Sequence, residues 1–136
     1  MINVIIGEKG TGKTARLIEA VHSAEKAATG SVVFINKGNR LVLDLSHKVR
    51  LVNTEEYGIS NYDDFYGFVC GILSQNYDIA HIFIDSITKI VDDNIAELEK
   101  FLEKIDVVAQ QNNAEIQIIL SMNPADASEV VKKYVK

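Results

Sequence analysis

The beginning of the chain constrains the fold more than any other part. Met1 to Ile6 is a short apolar run, broken at Gly7-Glu8-Lys9-Gly10-Thr11-Gly12-Lys13-Thr14. Ala15, Leu17, Ile18, Val21, Ala24 and Ala28 then follow near-helical spacing. Gly30 stands where a helix-ending glycine belongs. Ser31 to Ile35 is β-branched and aromatic and reads as a second buried strand. Strand, glycine-rich turn, helix, strand is a βαβ unit, and such a unit implies two parallel strands in one sheet.

The rest of the chain keeps the alternation. Short apolar runs at 49–52, 79–84 and 116–120 read as strands. Amphipathic stretches at 60–77, 94–112 and 126–135 read as helices. In the clearest of them, Ile95, Leu98, Phe101, Leu102, Ile105 and Val108 share one face. Continuous apolar strands between amphipathic helices predict an α/β fold. It has three α/β/α layers and a mostly parallel sheet of about five strands. With 136 residues, the expectation is one domain over 1–136. Ligands of such sheets bind beyond the carboxyl ends of the strands. The segments to watch are therefore 7–14, 36–39, 53–56, 85–88 and 121–123.

Composition narrows the functions. The formal net charge of −5 argues against a general nucleic-acid-coating role, which needs a basic face. The single Cys70 forms no internal disulfide, and one Cys with three His makes no zinc framework. No apolar run approaches the ~20 residues that span a bilayer, so no membrane insertion is expected. With no leader-like start either, the default location is cytoplasmic.

The segment 7–14 satisfies G-x-x-x-x-G-K-[ST] at every fixed position. Its glycines let successive N–H groups turn inward as an anion nest, and the helix that follows adds its positive end. The expected phosphate cradle is Gly7, Glu8, Lys9, Gly10, Thr11, Gly12, Lys13, Thr14 and Ala15. Lys13 is expected to reach the β- and γ-phosphates, and the Thr14 hydroxyl to ligate Mg²⁺. On these residues the chain resembles the P-loop NTPase superfamily. Ile82-Phe83-Ile84-Asp85 resembles, less specifically, the Walker B strand of that superfamily. The resemblance implies a RecA-like or related fold with an additional strand, ATP and Mg²⁺ as cofactors, and Asp85 as the second metal-side carboxylate.

No carboxylate stands at either position where the superfamily most often activates water. Many ATPases of the superfamily place Glu directly after the Walker B Asp, whereas this chain has Ser86. RecA-like members carry Glu shortly after the second strand. Here that region is Asn36-Lys37-Gly38-Asn39, with no carboxylate before Asp44. Glu55 and Glu56 qualify if strand 49–52 lies beside the Walker B strand. Ser121 and Asn123, after strand 116–120, resemble the polar sensor of ATPases with an additional strand. Arg16, Arg40 and Arg50 are the only arginines available as a finger.

Other readings fit less well. Asn36-Lys37-Gly38-Asn39 ends in Asn where the guanine motif N-K-x-D has Asp, and it precedes Asp85, so a GTPase is disfavoured. A nucleoside-type kinase would want a zinc site or an arginine-rich lid. The favoured function is a Mg·ATP-binding protein with weak or partner-dependent hydrolysis. The alternative is a non-hydrolysing nucleotide switch. The aromatic cluster Tyr57, Tyr62, Phe65, Tyr66 and Phe68 reads as half core and half rim, and Cys70 as a core residue. His22, His47 and His81 stand apart from one another and suggest no metal site. A minimal P-loop core with few arginines leads to the expectation of a protein partner or a second copy.

Overall fold

The computed structural model describes residues 1–27, 30–38, 45–46 and 48–135. Ala28, Asn39, Arg40, Asp44 and His47 lie outside the described residues. Five strands form one sheet: β1 (Ile2–Gly7), β2 (Ser31–Asn36), β3 (Arg50–Asn53), β4 (Ile79–Ile84) and β5 (Glu115–Ser121). The helices are α1 (Lys13–Ala27), α2 (Tyr62–Gln75), a single turn α3 (Ile87–Ile90), α4 (Ile95–Gln111) and α5 (Glu129–Tyr134). Short 3₁₀ turns occupy Thr54–Tyr57 and Pro124–Asp126.

The strand order is β1-β5-β4-β2-β3, and all four pairings are parallel. The expected α/β fold with a five-stranded sheet between helices is therefore what the chain adopts. Alternation along each strand splits the core between two faces. Leu17, Val21 and Ala24 of α1 pack on Val32, Phe34, Phe83 and Ile119. The other face presents Val33, Ile35, Ile82, Ile84 and Ile118 to α2, α4 and α5, which contribute Phe65, Val69, Leu98, Phe101, Ile105 and Val131. Phe65 and Phe101 stack with ring centroids 5.4 Å apart and join α2 to α4.

Two elements differ from expectation. The stretch 126–135 is a 3₁₀ turn followed by a shorter helix. Ala127 is extended (φ −67°, ψ 131°), and the Ser128 side chain accepts from Val131 N–H to start α5. Helix α3 gave no periodic signal because it is four residues long, yet Ile87 and Ile90 are buried. No helix among the described residues is long and apolar enough to cross a membrane.

Candidate functional site

Each strand ends in, or is followed directly by, a polar or glycine residue two positions after an apolar residue on the α1 face. Across the sheet these are Gly7 after Ile5, Ser121 after Ile119, Asp85 after Phe83, Asn36 after Phe34 and Asn53 after Leu51. Period-two alternation brings all five onto the side where α1 begins. The register supports the row. Gly7 is opposite Ser121, Asn36 is opposite Asn53, and Asp85 N–H donates to the Ile35 carbonyl at 2.9 Å.

The loop between β1 and α1 folds back over this row. Gly10 and Gly12 have φ of 81° and 80°, a backbone region that side chains other than Gly enter at a cost. Thr11 Oγ1 donates to the Glu8 carbonyl at 2.7 Å, and Lys13 Nζ donates to the same carbonyl at 2.6 Å. Lys13 is only 5% exposed, although it is a lysine at a helix start. Isolated ammonium groups are rarely so buried, because leaving water costs several kcal/mol. The loop thus wraps a cation that donates to the loop's own backbone, at the Glu8 carbonyl.

Opposite the loop, Thr14 Oγ1 donates to Asp85 Oδ1 at 3.5 Å. Ser86 Oγ donates to the same oxygen at 3.0 Å. Asp85 is buried, and Ser86 is held left-handed at φ 57°, ψ 63°. A non-glycine residue there stores on the order of 1–3 kcal/mol of strain, compensated by the burial of α3 beyond it. The hydroxyl and carboxylate are hard oxygen donors with open space nearby. That donor set fits Mg²⁺, which takes few protein ligands and keeps several waters.

The sequence places Asn36 in the segment 36–39 beyond a strand end but gives it no role of its own, since Asn-Lys-Gly reads as a turn. Its side chain is buried at 2% exposure, and neither Oδ1 nor Nδ2 has a partner among the described residues. It lines a pocket of about 120 Å³ with Lys37, Asp85, Ser86 and Lys89. Its backbone oxygen accepts from Thr54 Oγ1 at 3.2 Å. The Asn53 side chain ties the neighbouring turns, accepting from Gly38 N–H at 2.8 Å and Glu55 N–H at 3.0 Å.

Two clefts flank the loop. One of about 570 Å³ is lined by Glu8, Lys9, Thr88, Lys89, Asp92, Asp93, Ser121 and Met122. The other, about 330 Å³, has Ile6, Gly7, Glu8, Thr11, Arg16, Asn123 and Pro124. Ser121 and Asn123 therefore face different flanks. The Asn123 side chain accepts from Ala125 N–H at 3.0 Å and starts the following turn. Arg16 is one of the three arginines that the sequence offers as a finger. It is exposed beside the loop, three residues after Lys13 on the same first turns of α1. Ala15 is exposed at the start of α1. Strand β3 does not adjoin β4, because β2 lies between them. Glu55 and Glu56 are exposed in the turn beyond Asn53, one strand further from Asp85 than the condition for a catalytic role requires.

No protein-family profile matches the chain, and no curated protein matches it in sequence. Among solved structures it is similar to the flagellar accessory protein FlaH from Methanocaldococcus jannaschii, with a TM-score of 0.58 at 17% identity. The match covers 97% of this chain and 65% of that one, so the chain spans a little under two thirds of the neighbour's length. A likeness at that identity is one of fold. With all strands parallel and β5 inserted between β1 and β4, the chain shares a parallel α/β fold with this neighbour.

Proposed function

We propose that the chain binds Mg·ATP in the loop 7–14 and acts as a nucleotide-dependent module with slow or partner-dependent hydrolysis. The observation that carries this is the buried Lys13 ammonium. It is enclosed by a loop with two left-handed glycines, and the Thr14–Asp85 pair stands beside it. A phosphate chain would replace the Glu8 carbonyl as the partner of Lys13, and loop N–H groups would bind its oxygens. Thr14 and Asp85 would hold Mg²⁺, which when bound neutralises charge on the β- and γ-oxygens. The base would extend along the flank lined by Arg16, Asn123 and Pro124, where a guanidinium can stack on a purine. Adenine is favoured because Asn39 replaces the Asp of the guanine motif.

The absence of a carboxylate beside Asp85 on β2 favours the switch end of this range. Of the described arginines, Arg16 lines the opposite flank, and Arg50 starts β3 at the far end of the sheet. Beyond these two, a cation that stabilises the transition state would come from a lysine, from Arg40, which lies outside the described residues, or from another chain, a partner or a second copy. Calorimetric titration with Mg·ATP tests the central reading. Lys13→Ala should weaken binding at least a hundredfold, about 2.7 kcal/mol or more, with an unchanged circular dichroism spectrum. Wild-type affinity in that variant would sink the proposal. Phosphate release by the isolated protein, with and without candidate partners, separates ATPase from switch.

A further inference from the structure

Strand β3 ends the sheet, and helix α2 covers its inner neighbours more completely than it covers β3 itself. Phe65, Val69 and Leu73 of α2 are buried on the sheet. Phe68 and Ile72, on the flank of α2 toward β3, are only half-buried. Between that flank and β3 runs a groove of about 650 Å³. Its size lies within the ~300–1,000 Å³ of small-molecule sites. Val33 and Val52 form the floor, because alternation puts both on the α2 face of the sheet.

Two costly features meet in this groove. Tyr57 is 52% exposed, although its ring lies 5.3 Å from that of Phe68. A flat apolar body laid along Val52 and Phe68 would take the rest of that ring out of water. Gly71 stands inside α2, where glycine weakens a helix relative to alanine. A Cβ there would meet nothing within 4 Å, so packing within the chain does not call for glycine. The missing side chain keeps the helix wall low where the groove passes.

Charge points to the chemistry of the occupant. The chain has 14 Lys and Arg against 19 Asp and Glu. Among the described residues, however, the charged groups lining the groove are Lys48 and Arg50, with no carboxylate. Both are exposed, and neither forms an ion pair among the described residues. Register sets Arg50 beside Val33 and two residues before Val52, so the arginine borders the apolar floor. A guanidinium pairs bidentately with an oxyanion, and a lysine adds a second positive charge.

We propose that this groove is a second binding site, for a small organic anion: a flat apolar body that carries one oxyanion group. The body would lie on Val33 and Val52 against Phe68, and the oxyanion would meet Arg50 and Lys48. Thirteen described residues line the groove, fewer than the ~20–30 a side of a stable protein interface, which favours a small molecule over a second copy. The site is distinct from the loop 7–14, since α1 packs on the opposite face of the sheet.

Two fluorescent probes test this. The anion 8-anilinonaphthalene-1-sulfonate and the neutral N-phenyl-1-naphthylamine share one ring system and differ by the sulfonate. Both are titrated into the full chain, with circular dichroism recording the fold. The anion should bind at one site per chain, at least tenfold more tightly than the neutral probe. Lys48→Gln combined with Arg50→Gln should bring the two affinities within threefold of each other. Gly71→Leu fills the groove while favouring the helix. It should weaken the anion at least tenfold with a melting temperature no lower than that of wild type. Lys13→Ala should leave the anion's affinity within twofold. Equal affinity for the two probes in wild type overturns the proposal. So does anion binding that survives Gly71→Leu, or that is lost in Lys13→Ala and therefore belongs to the loop. Should Gly71→Leu fail to fold, Arg50→Glu decides at an exposed position: a tenfold loss supports the proposal, and anything less overturns it. A dimer seen by sedimentation that Arg50→Glu dissociates would assign the groove to a second copy and overturn the small-anion reading. None of these outcomes depends on Mg·ATP, so this site and the nucleotide reading stand or fall separately.

Discussion

Gly30 shows how a single residue can be fixed by approach instead of by turn geometry. A Cβ there would collide with the Asp78 carbonyl oxygen, which accepts from Ser31 N–H at 2.7 Å as β2 begins. Gly30→Ala should therefore lower stability by about 1–3 kcal/mol, as overpacking does, measured by urea unfolding. Tyr62 has a different sensitivity. It is buried, and its hydroxyl donates to the Asp92 carbonyl at 2.7 Å. Burial first, and then the charges of Asp92, Asp93 and Glu97, raise its phenol pKa above the usual value of 10.0. The folded state thus keeps its proton after the unfolded chain has lost it. Stability from this group is complete below about pH 10 and falls as pH rises beyond that. Tyr62→Phe should cost about 1 kcal/mol at neutral pH through the lost hydrogen bond. Its stability should then decline less between about pH 9 and pH 11, checked by urea unfolding at each pH.

Among the elements, α2 and α4 start where the sequence places them, within two residues, while α5 starts later than expected. Asn61, Asn94 and Ser128 each accept from a backbone N–H three residues on, at Asp64, Glu97 and Val131. Asn61→Ala should lower stability by about 1 kcal/mol and Asn61→Gly by a few tenths, both read from thermal unfolding. The strands were legible because each is a run of β-branched and apolar residues bounded by turn formers. Helix α3 was not, since one turn has no period to detect. Burial of Ile87 and Ile90 and the left-handed Ser86 create it, and both are tertiary effects. The break at Ala127 has the same character. Asn123 caps a 3₁₀ turn and Ser128 caps a second start, so one amphipathic stretch becomes two elements.

At the scale of the whole molecule, the two faces of the sheet carry unequal duties. The α1 face holds the smaller cluster and also supports Lys13 and Thr14. Leu17→Ala and Phe101→Ala remove side chains buried on opposite faces and should each cost roughly 2–5 kcal/mol. If Mg·ATP binds as proposed and raises the melting temperature, only Leu17→Ala is expected to shrink that rise, because it loosens the helix that carries the loop. Equal ligand-induced shifts in the two variants would show that the faces do not differ in this way.

The sequence by itself determined the loop at 7–14, the five strands and the class of fold. Those features depend on short-range patterns: glycine at fixed spacing, apolar runs and helical periodicity. It also pointed to Asp85, because an apolar run ending in an acid is a local signal. The neighbours of Asp85 were decided only by the tertiary structure. Strand order is not encoded in any one segment, and it placed β2 beside β4 and β3 at the edge. That ordering puts Asn36 next to Asp85 and leaves Glu55 and Glu56 beyond it. Burial decided the rest, since the same asparagine is an ordinary turn residue in water and a demanding hydrogen-bonding group when its amide is enclosed.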